Sequence, residues 1–199
     1  MHTIDIVVVC ICGYLIGSIP FAIFIGKFYG INILEVGSGN PGASNIKRSI
    51  GKGAGNVCLL LDFLKGVIAA GWPKLLILST ENTIGLAMFG LIAAIIGHSY
   101  SLFNKYRGGK GVATTMGGLV IITPIPLVVG IVIWIIIFYT FRYVSIASIA
   151  FVISLPLINI IMGVMDFRLW LCIGISVFTI FRHRSNIERL LKGIENRFQ

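Results

Sequence analysis

Apolar residues come in long runs along this chain, separated by short polar stretches. A helix needs roughly 17–25 mostly apolar residues to cross a bilayer. The runs at 4–28, 56–78, 83–97, 111–123, 124–141, 144–162 and 168–181 predict seven membrane helices in an all-α, polytopic protein. In the middle, 111–141 is one apolar run interrupted at Thr123-Pro124-Ile125-Pro126. Two prolines so close together cost a helix interior its backbone bonds, so the run divides there in a tight hairpin. The pieces before the hairpin are short, and five or six crossings with re-entrant segments is the alternative. The first run has no basic leader and no small-residue cleavage site, which makes it a first span and not a removed signal.

Composition sharpens this picture. The 199 residues are 57% hydrophobic and 12% charged, about half the charged fraction of a soluble domain. One helical bundle with short loops uses up that length, so any chemistry falls to loops and helix ends. The net charge of +9 does not point to nucleic acid, because the basic residues lie between apolar spans. Lys27, Lys47, Arg48, Lys52, Lys105, Arg107, Lys110, Arg142 and the Arg182–Arg197 group fall on one side of the predicted topology. Lys74 and Arg168 alone fall on the other, with Lys65 inside a span. By the positive-inside rule the N-terminus is outside, and the glycine-rich loops and the C-terminal tail are cytoplasmic. Cys10, Cys12, Cys58 and Cys172 lie in apolar runs, without disulfide or zinc spacing.

Three polar segments carry candidate chemistry. Gly37-Ser38-Gly39-Asn40-Pro41-Gly42-Ala43-Ser44-Asn45, followed by Lys47 and Arg48, can turn successive amides into one concavity that suits an anion. Ser38, Asn40 and Asn45 add neutral hydrogen-bonding groups, and Arg48 adds a fork for phosphate or carboxylate. The bland alternative is an ordinary turn between spans. Gly97-His98 is followed, after Phe103, by Tyr106-Arg107-Gly108-Gly109-Lys110-Gly111 at the start of the next apolar helix, whose N-terminus favours an anion, with Lys110 as a point charge. The spacing is not that of a Walker A loop; a basic loop with a glycine hinge is the alternative, and His98 reads as an interfacial anchor. The third segment is Arg182-His183-Arg184-Ser185-Asn186-Ile187-Glu188-Arg189-Leu190-Leu191, ending in Gly193-Ile194-Glu195. His183 and Glu188 have the spacing of an acyltransferase His–acid pair, but five residues along a helix turn about 140°. His183 and Asn186, three apart, share a helical face. The alternative for this segment is a basic amphipathic tail on the membrane surface. Within spans, Asp62 and Lys65 can pair, Ser145 and Ser148 share a face, and Gly13/Gly17 and Gly26/Gly30 have helix-packing spacing.

The wording and order of these segments resemble the bacterial acyl-phosphate:glycerol-3-phosphate acyltransferase family. The resemblance rests on Gly13-Tyr14-Leu15-Ile16-Gly17-Ser18-Ile19-Pro20-Phe21, Gly37-Ser38-Gly39-Asn40, Leu61-Asp62-Phe63-Leu64-Lys65-Gly66, Gly97-His98, Gly108-Gly109-Lys110-Gly111-Val112-Ala113-Thr114, and His183 with Asn186-Ile187 and Arg189-Leu190. It spans about residues 10 to 196. It implies a seven-helix enzyme of the bacterial inner membrane with a cytoplasmic-face active site. Acyl phosphate and glycerol-3-phosphate are its substrates, lysophosphatidic acid and phosphate its products, and it needs no cofactor and no metal. Membrane lipids and the enzyme that makes acyl phosphate are the partners implied. Carried over residue by residue, His183, Asn186 and Ser38 are catalytic, while Ser38, Asn40, Asn45, Arg48, Gly108, Gly109, Lys110 and Ser148 bind substrate. The chain departs from the family at Ser101, where a proline is frequent.

An acyl phosphate is already activated, so no acyl-enzyme is needed, and the sequence has no Gly-x-Ser-x-Gly elbow. Holding the glycerol hydroxyl against the carbonyl and stabilising charge are the difficult steps. The hydroxyl proton goes to His183 or to the donor's own phosphate. Two rival classes are an anion transporter or flippase and an acyl-CoA-dependent lysolipid acyltransferase. Against the transporter, the halves show no repeat and the polar motifs gather on one face.

Overall fold

The computed structural model describes residues 3–76 and 83–198, leaving undescribed the side chains of residues 75 and 76. Among these residues it is all-helical: α1 (Thr3–Ser18), α2 (Phe21–Phe28), α3 (Ala43–Ser49), α4 (Lys52–Leu76), α5 (Thr83–Ser99), α6 (Val112–Ile122), α7 (Pro124–Phe141), α8 (Val144–Ile161), α9 (Phe167–Arg182) and α10 (Arg184–Leu191), with a 3-10 turn at Leu102–Asn104. Five segments of the described residues are long and apolar enough to cross a membrane: Thr3–Phe28, Lys52–Lys74, Thr83–Asn104, Pro124–Phe141 and Val144–Ile161. The predicted spans at 111–123 and 168–181 appear as helices of 11 and 16 residues. At 1.5 Å per residue both fall short of a hydrocarbon layer roughly 30 Å thick.

Contacts divide the chain into two compact units, 1–122 and 123–199. In the first, α5 packs against α1, α4 and α6, and α4 also packs against α6. Small residues let the backbones approach closely, as in lipid-embedded bundles. A Cβ on Gly13 would come within 2.6 Å of the Gly90 carbonyl, and one on Gly17 would overlap Ala94. Gly66 and Gly117 make the same kind of crossing between α4 and α6, against Thr114 and Phe63. In the second unit α8 packs against both α7 and α9.

Three predicted details change. The 4–28 run is not one helix but two, parted at Ile19-Pro20. Proline has no N–H to continue the ladder, and Pro20 instead caps α2, its carbonyl accepting from Ile23 and Phe24 at 2.9 and 3.1 Å. Gly26/Gly30 is not a helix-packing pair: Gly30 has φ +69° and closes α2, with Ile31 N–H bonded to Gly26 O at 2.8 Å. The predicted 56–78 helix starts earlier, at Lys52, while its last residues lie outside the described ones. The proline break falls where expected. α6 stops at Ile122 and α7 opens on Pro124, so the prolines occupy a first turn, where missing N–H groups cost nothing.

Candidate functional site

In the first glycine segment, Gly37 and Gly39 have φ of +60° and +67°, backbone that side-chain-bearing residues adopt reluctantly. Asn45, on the first turn of α3 and 1% exposed, gives the loop its shape. Its Oδ1 accepts the Ser38 N–H at 2.9 Å, and its Nδ2 donates to Ile33 O and Val36 O at 3.1 and 3.0 Å. Both amide donors are therefore committed to backbone. Asn45 was expected to offer its amide to substrate; the geometry makes it the residue that shapes the loop. Ser38 and Asn40 are half-buried, and Arg48 is exposed in the last turn of α3.

The second glycine segment lies against a buried charged cluster. Asp62 and Lys65 on α4 pair at 2.7 Å, each 3% exposed, as their spacing suggested. His98, near the end of α5 and 8% exposed, turns Nδ1 to the same carboxylate oxygen at 3.5 Å. Cys58 donates to the other oxygen at 3.7 Å. His98 is thus buried against a carboxylate and is no interfacial anchor. Lys65 also donates to Ile19 O at 3.2 Å, and Ser101 Oγ donates to Ser18 O, so the carbonyls freed at the proline break are both capped by side chains. Gly109 N–H donates to His98 O at 3.1 Å. Asp62, Lys65, His98, Ser101 and Gly109 line a narrow cleft, with Pro20, Phe21, Pro41, Asn104, Arg107 and Gly108. Glycine backbone and Arg107 give it the chemistry of an anion site beside the neutralised Asp62–Lys65 pair. Lys110, half-buried, follows at the start of α6.

In the second unit, His183 is the joint between α9 and α10, with φ −94° and ψ 6°. His183 and Asn186 therefore do not share one unbroken helix, although both are buried, at 2% and 5% exposure. His183 Nδ1 stands 2.8 Å from Thr179 O. A carbonyl only accepts, so Nδ1 carries the proton and Nε2 is the acceptor of the neutral ring. Asn186 Nδ2 donates to Glu195 Oε1 at 2.6 Å, Ser145 Oγ donates to the same oxygen at 3.1 Å, and Arg189 pairs with Oε2 at 2.7 Å. Glu188 is exposed. Ser148 is 3% exposed and accepts from Trp134 Nε1 at 3.3 Å.

Ser38, Asn40, Asn45, Arg48, Gly108, Gly109 and Lys110 thus belong to one unit, where the two glycine segments meet at Pro41 and Gly109. Ser148, His183 and Asn186 belong to the other. Three polar residues to which motif reading gave no catalytic or binding role stand beside these motifs. Asp62 and His98 back the second glycine segment, and Glu195 gathers the C-terminal one. A charged residue within an apolar run was the available signal for Asp62; Glu195, in a polar tail, gave none.

The glycerol-3-phosphate acyltransferase family model matches residues 7–193. A relative named glycerol-3-phosphate acyltransferase from Bacillus cytotoxicus is 41% identical over 93% of this chain and 91% of its own length. One of the same name from Aquifex aeolicus is 40% identical over 94% and 96%. Among solved structures, the fold is similar to PlsY (YgiH), an integral membrane glycerol 3-phosphate acyltransferase, in its glycerol 3-phosphate form. That match has TM-score 0.90 at 39% identity and covers 98% of this chain and 96% of that one. The lysophosphatidic acid form matches with TM-score 0.87 at 38% identity, over 98% and 95%. By a family model that covers nearly the whole chain, and by relatives of such identity and coverage, this protein belongs to the glycerol-3-phosphate acyltransferase family.

Proposed function

We propose that the protein transfers a fatty acyl group from acyl phosphate to glycerol-3-phosphate, giving lysophosphatidic acid and inorganic phosphate. The observation that carries this reading is the likeness, over nearly all of both chains, to one acyltransferase in its glycerol 3-phosphate and lysophosphatidic acid forms. Those two molecules are the acceptor and the product of a single acylation. The acyl-phosphate donor follows from the motif resemblance and from chemistry: an activated donor needs no covalent intermediate, only positioning and charge stabilisation.

In this mechanism, whose residue roles follow the motif resemblance, the glycine segments with Arg48 and Lys110 hold phosphate groups, and Ser38, Asn40 and Ser148 add hydrogen bonds. The glycerol hydroxyl oxygen attacks the acyl carbonyl carbon, the carbon–oxygen bond to phosphate breaks, and the departing phosphate takes the hydroxyl proton. His183 and Asn186 orient the reacting groups. The site faces the cytoplasm of a bacterial inner membrane, the N-terminus lies outside, and α6 and α9, though shorter than the hydrocarbon layer, complete seven crossings where the bilayer thins around them. One-sided Lys and Arg support that orientation. Labelling of single cysteines at positions 47 and 107 in sealed cells checks it, and ready labelling from outside overturns it.

Purified protein given palmitoyl phosphate and glycerol-3-phosphate should release phosphate and form lysophosphatidic acid, with palmitoyl-CoA inert in the same assay. Acylation from palmitoyl-CoA with none from palmitoyl phosphate would refute the donor assignment.

A further inference from the structure

The buried cluster of the first unit has no part in the acyl-transfer steps above. Asp62 Oδ1 faces Lys65 Nζ at 2.7 Å and His98 Nδ1 at 3.5 Å, and all three residues are at most 8% exposed. Charged side chains within a membrane span are costly, and apolar residues of similar volume fill such a space without that cost. A ring nitrogen turned to a carboxylate carries a proton, so Asp62 fixes which way the His98 imidazole points. The outer end of that ring lies against the second glycine segment. A Cβ added to Gly109 would overlap His98 Nε2 and come within 3.1 Å of Pro41 O, from the first glycine segment. On its backbone side, Gly109 N–H is held by His98 O at 3.1 Å. Gly109 is thus gripped by the ring and the carbonyl of one histidine, with Lys110 next in the chain.

We propose that Asp62 and His98 are a positioning pair for the second glycine segment. The carboxylate fixes the imidazole, and the imidazole with its own backbone sets Gly109, and hence Lys110, where the phosphate of a substrate docks. Lys65 balances the charge of Asp62 and ties it to the carbonyl freed at the Pro20 break. The proposal rests on the phosphate-binding reading of that segment and adds two positioning residues to it.

The variants are His98→Asn, which keeps an amide N–H where Nδ1 faces Asp62 and removes the outer half of the ring, Asp62→Asn, and Gly109→Ala alone and with His98→Asn. Steady-state kinetics with palmitoyl phosphate and glycerol-3-phosphate should show KM for one phosphate-bearing substrate raised about tenfold or more, with kcat much less changed. Because the added methyl of Gly109→Ala and the His98 ring compete for one space, the double variant should be no worse than the poorer single variant. If Asp62→Asn fails to fold with Lys65 left unpaired, Asp62→Asn with Lys65→Met takes its place. Limited trypsinolysis, which needs no activity, should cut after Lys105 or Arg107 several-fold faster in His98→Asn than in wild type. Folded variants with unchanged KM, a loss in kcat alone, or strictly additive Gly109→Ala and His98→Asn effects would overturn the pair. An inactive wild type overturns the functional reading instead, and trypsinolysis then decides the pair: equal cutting rates in wild type and His98→Asn reject it.

Discussion

Each unit buries an acid, and the two acids are held in different ways. Asp62 sits in α4, inside an apolar run, and meets Lys65 one helical turn away and His98 from α5. Glu195 follows α10 in an irregular tail, and collects Ser145 from α8 with Asn186 and Arg189 from α10. The first cluster is a charge pair enclosed in a span, where removing one partner strands the other. The second stands in irregular backbone, with Arg189 27% exposed, where water can replace a lost partner. A helix interior makes an ion pair rigid and unforgiving; irregular, part-exposed backbone makes it adjustable. Stability should therefore be concentrated in the first cluster, while the second should reveal itself through Asn186.

The largest effect tests that asymmetry directly. Lys65→Met should destabilise by about 3–5 kcal/mol, the cost of breaking a buried pair, and Asp62→Asn with Lys65→Met should recover most of the loss. Thermal unfolding in detergent reads both, and a double variant less stable than Lys65→Met would remove the stranded-charge account. Next in size, Asn186→Ala should lower palmitoyl phosphate turnover by about a hundredfold, the scale of a misplaced catalytic group. Glu188→Gln, on an exposed side chain, should stay within about 0.5 kcal/mol of wild type. A severe Glu188→Gln defect beside an active Asn186→Ala would reassign the C-terminal motif.

Glu195→Gln keeps an acceptor for Ser145 and loses the charge that pairs with Arg189. It should cost about 1–2 kcal/mol, less than Lys65→Met, and should lower turnover through Asn186. A loss equal to that of Lys65→Met would erase the contrast between the clusters. The smallest effect concerns Ser101, which has φ −65° and donates to the carbonyl freed at Ser18. Ser101→Ala should cost about 1 kcal/mol, whereas Ser101→Pro should fall closer to wild type. Proline fits that φ and stiffens the unfolded chain by roughly 0.4–1 kcal/mol. Equal unfolding temperatures for wild type and Ser101→Ala would show that the cap contributes nothing.

The apolar runs alone determined that the chain is helical and membrane-embedded, because burying backbone in lipid leaves little choice but to close its hydrogen bonds within helices. The proline pair at 124 and 126 fixed the start of α7, since it stops a helix locally. Gly13 and Gly17 announced a close crossing, and the i,i+3 spacing of Asp62 and Lys65 announced their pairing, because both are set by one helix's own geometry. The motif words carried the family. Tertiary structure decided the rest. Asn45 was legible as a polar loop residue, but only the folded loop directs its amide to Ile33, Val36 and Ser38. His98 lies 36 positions from Asp62 in sequence, and only the packing of α5 on α4 gives its ring a carboxylate. Glu195 lies in a segment with no periodicity, and its partner Ser145 is 50 residues away. Apolar period and local spacing record what a single helix does by itself, whereas a side chain that meets its partner from another element leaves no trace in either.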